Sequence, residues 1–167
     1  DHVHQAGSLV DDKVCRFDFS HFSAVTPEEL EKVEARVNEL ILEANPVTTT
    51  EMPIEEAKKM GAMALFGEKY GETVRVLNIG TSVELCGGTH VSRTGDIGAF
   101  KIISEAGISA GVRRVEAVTG LNAVRLMQDN AELLATAAAK FKAPAQELPE
   151  KIDHLGETVK RLEKELA

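Results

Sequence analysis

The 167-residue sequence contains no tryptophan, one tyrosine, two cysteines and no long run of apolar residues. With so few aromatic side chains, the core has to be built mainly from aliphatic residues, which dominate the 43% of the chain that is hydrophobic. Two cysteines are too few for the disulfide framework of a small secreted domain. A membrane helix needs about 20 consecutive apolar residues. The composition therefore favours a cytoplasmic protein with one core or two small ones and no membrane span.

Basic side chains are also in deficit, because 19 lysines and arginines stand against 27 aspartates and glutamates, for a net charge of −8. Such acidity disfavours indiscriminate binding to nucleic acid. Segment 91–128 is the exception, with 5 basic and 3 acidic side chains. If this chain contacts a phosphate backbone, we expect the contact there.

Segment 86–90 reads Cys-Gly-Gly-Thr-His and is the most informative motif. Cysteine sulfur and histidine nitrogen are the preferred protein ligands of zinc. The two glycines favour a tight loop, in which a ligand can approach the backbone closely, over a helix. Because two ligands make only half of a tetrahedral site, the motif alone leaves a second interpretation open. Cys86 would then be a buried structural cysteine beside an unrelated His90.

The N-terminal half predicts a β-hairpin and a helix. The hairpin has strands at 4–9 and 14–19, with Cys15, Phe17 and Phe19 alternating onto one face. Thr26 as N-cap and Glu29 three residues later form a capping box that begins the helix, which ends before position 46.

The rest of the chain alternates short strands and helices without repeated parallel crossovers. It predicts a short helix at 53–60, a loop at 62–71, a glycine-containing turn at 106–111, and strands at 47–52, 73–79, 83–85, 99–104 and 112–118. This pattern favours an α+β fold, in which helices pack on an antiparallel or mixed sheet.

From position 121 onward the sequence predicts a separate helical segment, 121–167, arranged as a C-terminal helical hairpin. A helix at 122–141 is followed by a break at 142–149 and by apolar residues in steps of three and four, namely Ile152, Leu155, Val159, Leu162 and Leu166. That is a heptad seam of about two heptads. So short a seam fits a helix packed on its neighbour, a longer hairpin or an oligomerisation arm.

Six separated motifs resemble the editing domain of alanyl-tRNA synthetases. They are GSLV at 7–10, RFDFSH at 16–21, GAMALFGEKY at 61–70, ELCGGTH at 84–90, RTGDIG at 93–98 and GVRRVEAVTG at 111–120. The resemblance covers roughly residues 1–125 and implies that residues 1–120 are an editing domain. Such a domain hydrolyses the ester of mischarged seryl- or glycyl-tRNA(Ala).

In that family, zinc is held by an HxxxH motif and a later CxxxH motif, and Cys86 and His90 match the second. No HxxxH occurs in this sequence. The resemblance places it shortly before Asp1, so we expect the chain to lack half of the zinc site and to have impaired editing activity. ATP and magnesium are expected only for the full-length synthetase. His2, His4 and Cys15 are the available substitute ligands, although nothing in the sequence places them beside Cys86.

The resemblance also implies roles in binding the substrate. Gln5 matches a glutamine of the editing pocket, where its amide could read a serine hydroxyl. Thr89, Gly87 and Gly88 would line the same pocket. The alternatives are a surface glutamine on a strand and ordinary turn chemistry.

Arg93, Arg113 and Arg114 lie in the positive segment and are candidates to bind the acceptor end of tRNA(Ala). Adjacent residues on a strand point to opposite faces. We therefore expect that at most one of Arg113 and Arg114 faces RNA, while the other pairs with a carboxylate.

Two other kinds of function remain open on the sequence alone. The chain could be a non-catalytic core that binds tRNA or forms a homo-oligomer through an exposed sheet edge or the C-terminal helix. It could also be a free-standing trans-editing deacylase, although such a protein needs its own HxxxH motif.

Overall fold

The structure is a computed structural model that describes residues 2–63 and 70–167. Two compact units are present, residues 1–123 and residues 124–167. The predicted loop at 62–71 and the motif at 61–70 fall largely on residues 64–69, which lie outside the described residues.

The strands and helices follow the predicted order closely. The strands are β1 (Gln5–Val10), β2 (Cys15–Ser20), β3 (Val47–Pro53), β4 (Thr73–Ile79), β5 (Ser82–Leu85), β6 (Phe100–Ser109) and β7 (Val112–Thr119). The helices are α1 (Pro27–Leu42), α2 (Ile54–Lys59), α3 (Gly120–Lys140) and α4 (Leu148–Leu166).

The α+β prediction is confirmed, but the strands form two sheets instead of one. The four-stranded sheet has the order β1-β2-β7-β6, and the three-stranded sheet has the order β3-β4-β5. Every pair of neighbouring strands is antiparallel. The division arises because β2 pairs with β7, far along the chain, and a sequence pattern carries no signal for that choice of partner.

Strand β6 is longer than predicted. The expected turn at 106–111 shrinks to the two residues Ala110 and Gly111, and Gly111 has a φ of +70°. A two-residue hairpin turn needs such left-handed backbone, which glycine adopts without steric cost. Ala106 and Gly107, which were expected in the turn, therefore belong to β6.

Helix α1 begins with the predicted capping box and packs on the four-stranded sheet. The Thr26 backbone N–H donates to Glu29 Oε2 at 2.9 Å, and the Glu29 N–H donates to Thr26 Oγ1 at 3.2 Å. Further along the helix, Asn38 accepts from the Phe100 N–H at the outer edge of β6. Side chains of α1 therefore cover part of an edge that would otherwise be unpaired.

The acidic residues of α1 are not all solvated. Glu34 accepts a hydrogen bond from the Ile102 N–H at 2.8 Å and pairs with Lys101 Nζ at 2.9 Å. This carboxylate satisfies a strand-edge donor as well as a lysine, a role that depends on how the helix packs on the sheet.

The three-stranded sheet has its own small aliphatic core, which supports the strand leading into segment 86–90. Ala57 of α2 packs with Val74 and Val76 of β4, and Val83 and Leu85 of β5 pack against this cluster. The burial of these side chains stabilises the sheet and fixes the position at which β5 ends.

In the second unit, α4 begins earlier than predicted because Pro149 lies in its first turn, where the missing proline N–H costs no helical hydrogen bond. The side chains of the heptad seam are 44–89% exposed. Helix α3 therefore leaves the seam uncovered, which argues against a helix packed on its neighbour. Within residues 2–63 and 70–167, no helix combines the length and the apolar character needed to cross a membrane.

Candidate functional site

Segment 86–90 follows β5 directly and is anchored on the neighbouring strand β4. The Cys86 N–H donates to the Arg75 carbonyl oxygen at 3.2 Å. In the other direction, Arg75 Nη1 donates to the carbonyl oxygens of Gly87 at 3.1 Å and of Gly88 at 2.6 Å. The loop predicted from the two glycines is thus held by the backbone and the side chain of one arginine.

Cys86 and His90 both lie beside Gly88. A Cβ atom placed on Gly88 would lie 3.7 Å from Cys86 Sγ and 3.7 Å from His90 Cε1. The missing side chain of this glycine therefore leaves a small space between a sulfur and an imidazole. Cys86 is half-buried and His90 is exposed.

This donor set fits half of a tetrahedral zinc site, because thiolate and imidazole are zinc's usual ligands. In the described part of the chain, no three or more His, Cys, Asp or Glu side chains are grouped so that they could hold a metal ion. His2, one of the possible substitute ligands, instead contacts His21, with 2.7 Å between His2 Nε2 and His21 Nδ1. Burial raises the pKa of the Cys15 thiol, which disfavours the thiolate that a metal would need.

A cavity of about 410 Å³ opens beside Cys86, on the side of β4 and β5. Its lining combines backbone and apolar side chains with one guanidinium, and consists of Tyr70, Gly71, Thr73, Val74, Arg75, Leu85, Cys86 and Gly87. A volume of this size accommodates a small ligand or part of a larger one.

The segment that follows His90 is fixed to the C-terminal end of α1 by Thr94, which is only 6% exposed. Thr94 Oγ1 donates to the Leu40 carbonyl oxygen at 3.0 Å and accepts from the Asn45 N–H at 2.9 Å. The Thr94 N–H in turn donates to the Asn45 carbonyl oxygen at 2.9 Å. These bonds connect the segment that follows His90 to α1, the helix that packs on the four-stranded sheet.

The remaining pocket residues predicted from the sequence are less closely associated. Thr89 is exposed within the loop. Gln5 is half-buried at the start of β1, where it pairs with Phe19 in the four-stranded sheet. No hydrogen bond joins Gln5 to segment 86–90 among residues 2–63 and 70–167. The roles of Gln5 and Thr89 stay predictions.

Arg113 and Arg114 point to opposite faces of β7, and both pair with carboxylates. Arg113 Nη2 lies 2.8 Å from Glu105 Oε2, and Arg114 Nη2 lies 2.8 Å from Asp18 Oδ2, each as half of a bidentate contact. Hydrogen bonds from Arg113 and Arg114 lower the pKa values of Glu105 and Asp18 respectively. The carboxylate pairing expected for one of the two arginines is found for both, because each face of the sheet supplies its own acid.

Arg93 is the most available of the three candidate RNA-binding arginines. Its side chain is 64% exposed, and among the described residues the nearest carboxylate oxygen is Asp96 Oδ1 at 4.0 Å. At that separation and exposure an ion pair contributes little, so this guanidinium is available to another anion. Binding of substrate by any of the three arginines stays a prediction.

Sequence reasoning missed Arg75 and Thr94, although both are central to the geometry of the loop. Arg75 occupies an ordinary position in an alternating strand, and Thr94 lies in a run of turn-forming residues. The only available signal was nearness to segment 86–90. Thr94 follows this segment closely in the sequence, and Arg75 lies beside it once the pairing of β4 with β5 is known.

Comparison with known proteins gives consistent matches. Residues 74–116 match the family described as threonyl and alanyl tRNA synthetase second additional domain. The alanine–tRNA ligase of Methylobacillus flagellatus is 61% identical over 166 residues, which are 99% of this chain and 19% of that protein. Those of Bordetella pertussis and Delftia acidovorans are 57% and 55% identical, over 99% and 100% of the chain and 19% of each relative.

The chain therefore spans about a fifth of the length of the curated relatives it matches. The matched family region begins in β4, includes segment 86–90 and ends in β7. The candidate site thus lies within the part of the chain that the family model recognises. The chain belongs to the alanyl-tRNA synthetase family.

Proposed function

We propose that this chain provides the editing function of an alanyl-tRNA synthetase, the hydrolysis of the ester in seryl- or glycyl-tRNA(Ala). The observation that carries the proposal is that Cys86 Sγ and His90 Cε1 both lie beside Gly88. The relationship to alanine–tRNA ligases along nearly the whole chain gives that arrangement its context.

A second site of this kind answers a physical limit on selectivity. A pocket that accepts alanine cannot exclude the smaller glycine, and one added hydroxyl is rejected poorly unless the site contains groups that penalise it. Because serine is larger than alanine and glycine is smaller, sieving by size alone cannot remove both errors. A polar group that reads the serine hydroxyl is needed, and the amide of Gln5 is our candidate.

Cys86 and His90 would hold zinc together with two ligands from outside the described residues. Zinc bound there would act as a Lewis acid, either toward water or toward the amino group of the substrate. The chain's own backbone contributes the approach path, because Gly88 carries no side chain beside the ligands and a Cβ on Gly87 would meet only open space. Thr89, which is exposed in the same loop, would orient the aminoacyl end.

For the tRNA acceptor end, we propose Arg93 as the primary contact with phosphate, since its guanidinium is the most exposed of the three. Arg113 and Arg114 would contribute through the unused edges of guanidiniums that are already paired with carboxylates. In the longer synthetase, this chain would work in the cytoplasm beside an ATP- and magnesium-dependent ligase that supplies alanyl-tRNA for protein synthesis.

The test is hydrolysis of seryl-tRNA(Ala) and glycyl-tRNA(Ala) by a full-length synthetase that carries this sequence. We expect hydrolysis of both, little hydrolysis of alanyl-tRNA(Ala), and loss of editing with loss of bound zinc in Cys86→Ala. Cys15→Ala is the matched control, because it removes the other thiol of this chain, which lies on β2 in the four-stranded sheet. Unchanged editing in Cys86→Ala would contradict the proposal.

A second function, self-association, is favoured by the exposed seam of α4. Its apolar side chains recur at heptad spacing and are 44–89% exposed, which is typical of a helix that pairs with another helix. This role is compatible with editing, since the seam belongs to the second unit and the candidate site to the first.

A further inference from the structure

Arg75 makes contacts that its place in the sheet does not require. Glu51 lies opposite it in the pairing of β3 with β4. Nevertheless, among residues 2–63 and 70–167, no carboxylate forms an ion pair with Arg75. Its Nη1 atom donates instead to two uncharged acceptors, the carbonyl oxygens of Gly87 and Gly88.

These two bonds determine how the loop backbone is turned. The peptide bonds are trans, so each carbonyl points opposite to the N–H group of the next residue. With the Gly87 and Gly88 carbonyls turned toward Arg75, the N–H groups of Gly88 and Thr89 point away from it. One guanidinium therefore fixes the orientation of two successive peptide units.

Such anchoring matters because two adjacent glycines have more backbone freedom than any other pair of residues. A hydrogen bond from a charged donor is about twice as strong as one between neutral groups. Without Arg75, the two ends of the loop would remain joined to β5 and to the Thr94 anchor, while the glycines between Cys86 and His90 would sample many conformations.

We propose that Arg75 is a positioning residue that holds Gly87 and Gly88 in the conformation in which Cys86 and His90 face the same space. The inference rests on the metal-binding part of the proposed function. It assigns Arg75 no contact with substrate or metal.

The first test is titration of the chain with Cd²⁺, followed by the ultraviolet charge-transfer absorption of the cadmium–thiolate bond. A Cys15→Ser background leaves Cys86 as the single thiol. We expect about tenfold weaker Cd²⁺ binding in Arg75→Met, the lower end of what loss of a group that orients metal ligands costs. Arg75→Lys should recover most of that affinity, because it retains a charged donor. Arg125→Met, which removes an exposed positive charge of α3 without touching the loop carbonyls, should bind Cd²⁺ like the parent.

The second test needs no metal. The ¹⁵N relaxation order parameters of the backbone amides at 87–89 should be lower in Arg75→Met than in the parent chain, and unchanged in Arg125→Met. If Arg75→Met does not fold, Arg75→Gln takes its place in both tests. A folded variant with unchanged Cd²⁺ affinity and unchanged order parameters would overturn the role of Arg75.

The two tests also separate this inference from the proposed function. If the parent chain shows no absorption band that depends on Cys86, the metal-binding part of the proposed function fails for this chain by itself, and the order parameters still decide whether Arg75 orders the loop. If the band is present but insensitive to Arg75, with unchanged order parameters, the metal site stands and the positioning role fails.

Discussion

Replacing Thr94 with valine should destabilise the first unit by about 2 kcal/mol. The substitution preserves the branched shape of the side chain and replaces only the hydroxyl, by a methyl group. That hydroxyl is buried, accepts from the Asn45 N–H at 2.9 Å and donates to the Leu40 carbonyl oxygen at 3.0 Å. The expected cost therefore comes from hydrogen bonding and not from packing.

The magnitude follows from what is left unpaired. Without the hydroxyl, the Asn45 N–H loses its partner in a site where Thr94 itself is only 6% exposed. An unsatisfied buried donor costs about 1–3 kcal/mol. The Leu40 carbonyl also loses a donor, but at a helix end water can replace it at smaller cost. The middle of the range, about 2 kcal/mol, is our estimate.

Urea unfolding followed by circular dichroism measures this difference as a shift in midpoint at constant slope. Thr89→Val is the matched control, because Thr89 is exposed and the same substitution there should change stability by less than about 0.5 kcal/mol. Thr94→Ser, which retains the hydroxyl, should keep most of the stability. If Thr94→Val unfolded within about 0.5 kcal/mol of the parent chain, the hydrogen bonds would not be holding the loop to α1 and the reasoning would be refuted.

Three further predictions concern other parts of the chain. Hydrogen bonds from Arg114 lower the pKa of Asp18, so this pair stabilises the fold fully above the pKa that Asp18 has in the unfolded chain, and the contribution is lost as pH falls through the folded pKa. Acid unfolding monitored by circular dichroism should therefore depend less steeply on pH in Asp18→Asn. An unchanged profile would count against the pair. Gly88→Ala should leave the free energy of unfolding in urea within about 0.5 kcal/mol of the parent value, since the added Cβ makes only ordinary contacts. It should nevertheless weaken Cd²⁺ binding, because it fills the space between the ligands. Equal affinity would show that this space is not used. Val159→Asp should lower the molar mass measured by light scattering at high concentration, because it puts a charge in the α4 seam, whereas a monomeric parent chain would rule out self-association.

Elements set by neighbouring residues were predicted well from the sequence. The capping box at Thr26 and Glu29 forms as expected because its partners are three residues apart. The strands at 73–79 and 83–85 agree with the structure to within one residue. The loop at 86–90 also follows from local chemistry, since two adjacent glycines interrupt any regular element between Cys86 and His90.

The sequence by itself thus determined the local elements and, through its motifs, the family and the candidate ligands Cys86 and His90. Only the tertiary structure decided which distant groups meet. Arg114 pairs with Asp18 across 96 positions, and Thr94 bonds to Leu40 across 54. Arg75 reaches the loop only because β4 lies beside β5. Local periodicity reports which face a side chain occupies, but the choice of strand partner and register depends on packing of the whole unit, so these contacts appear only in the folded chain.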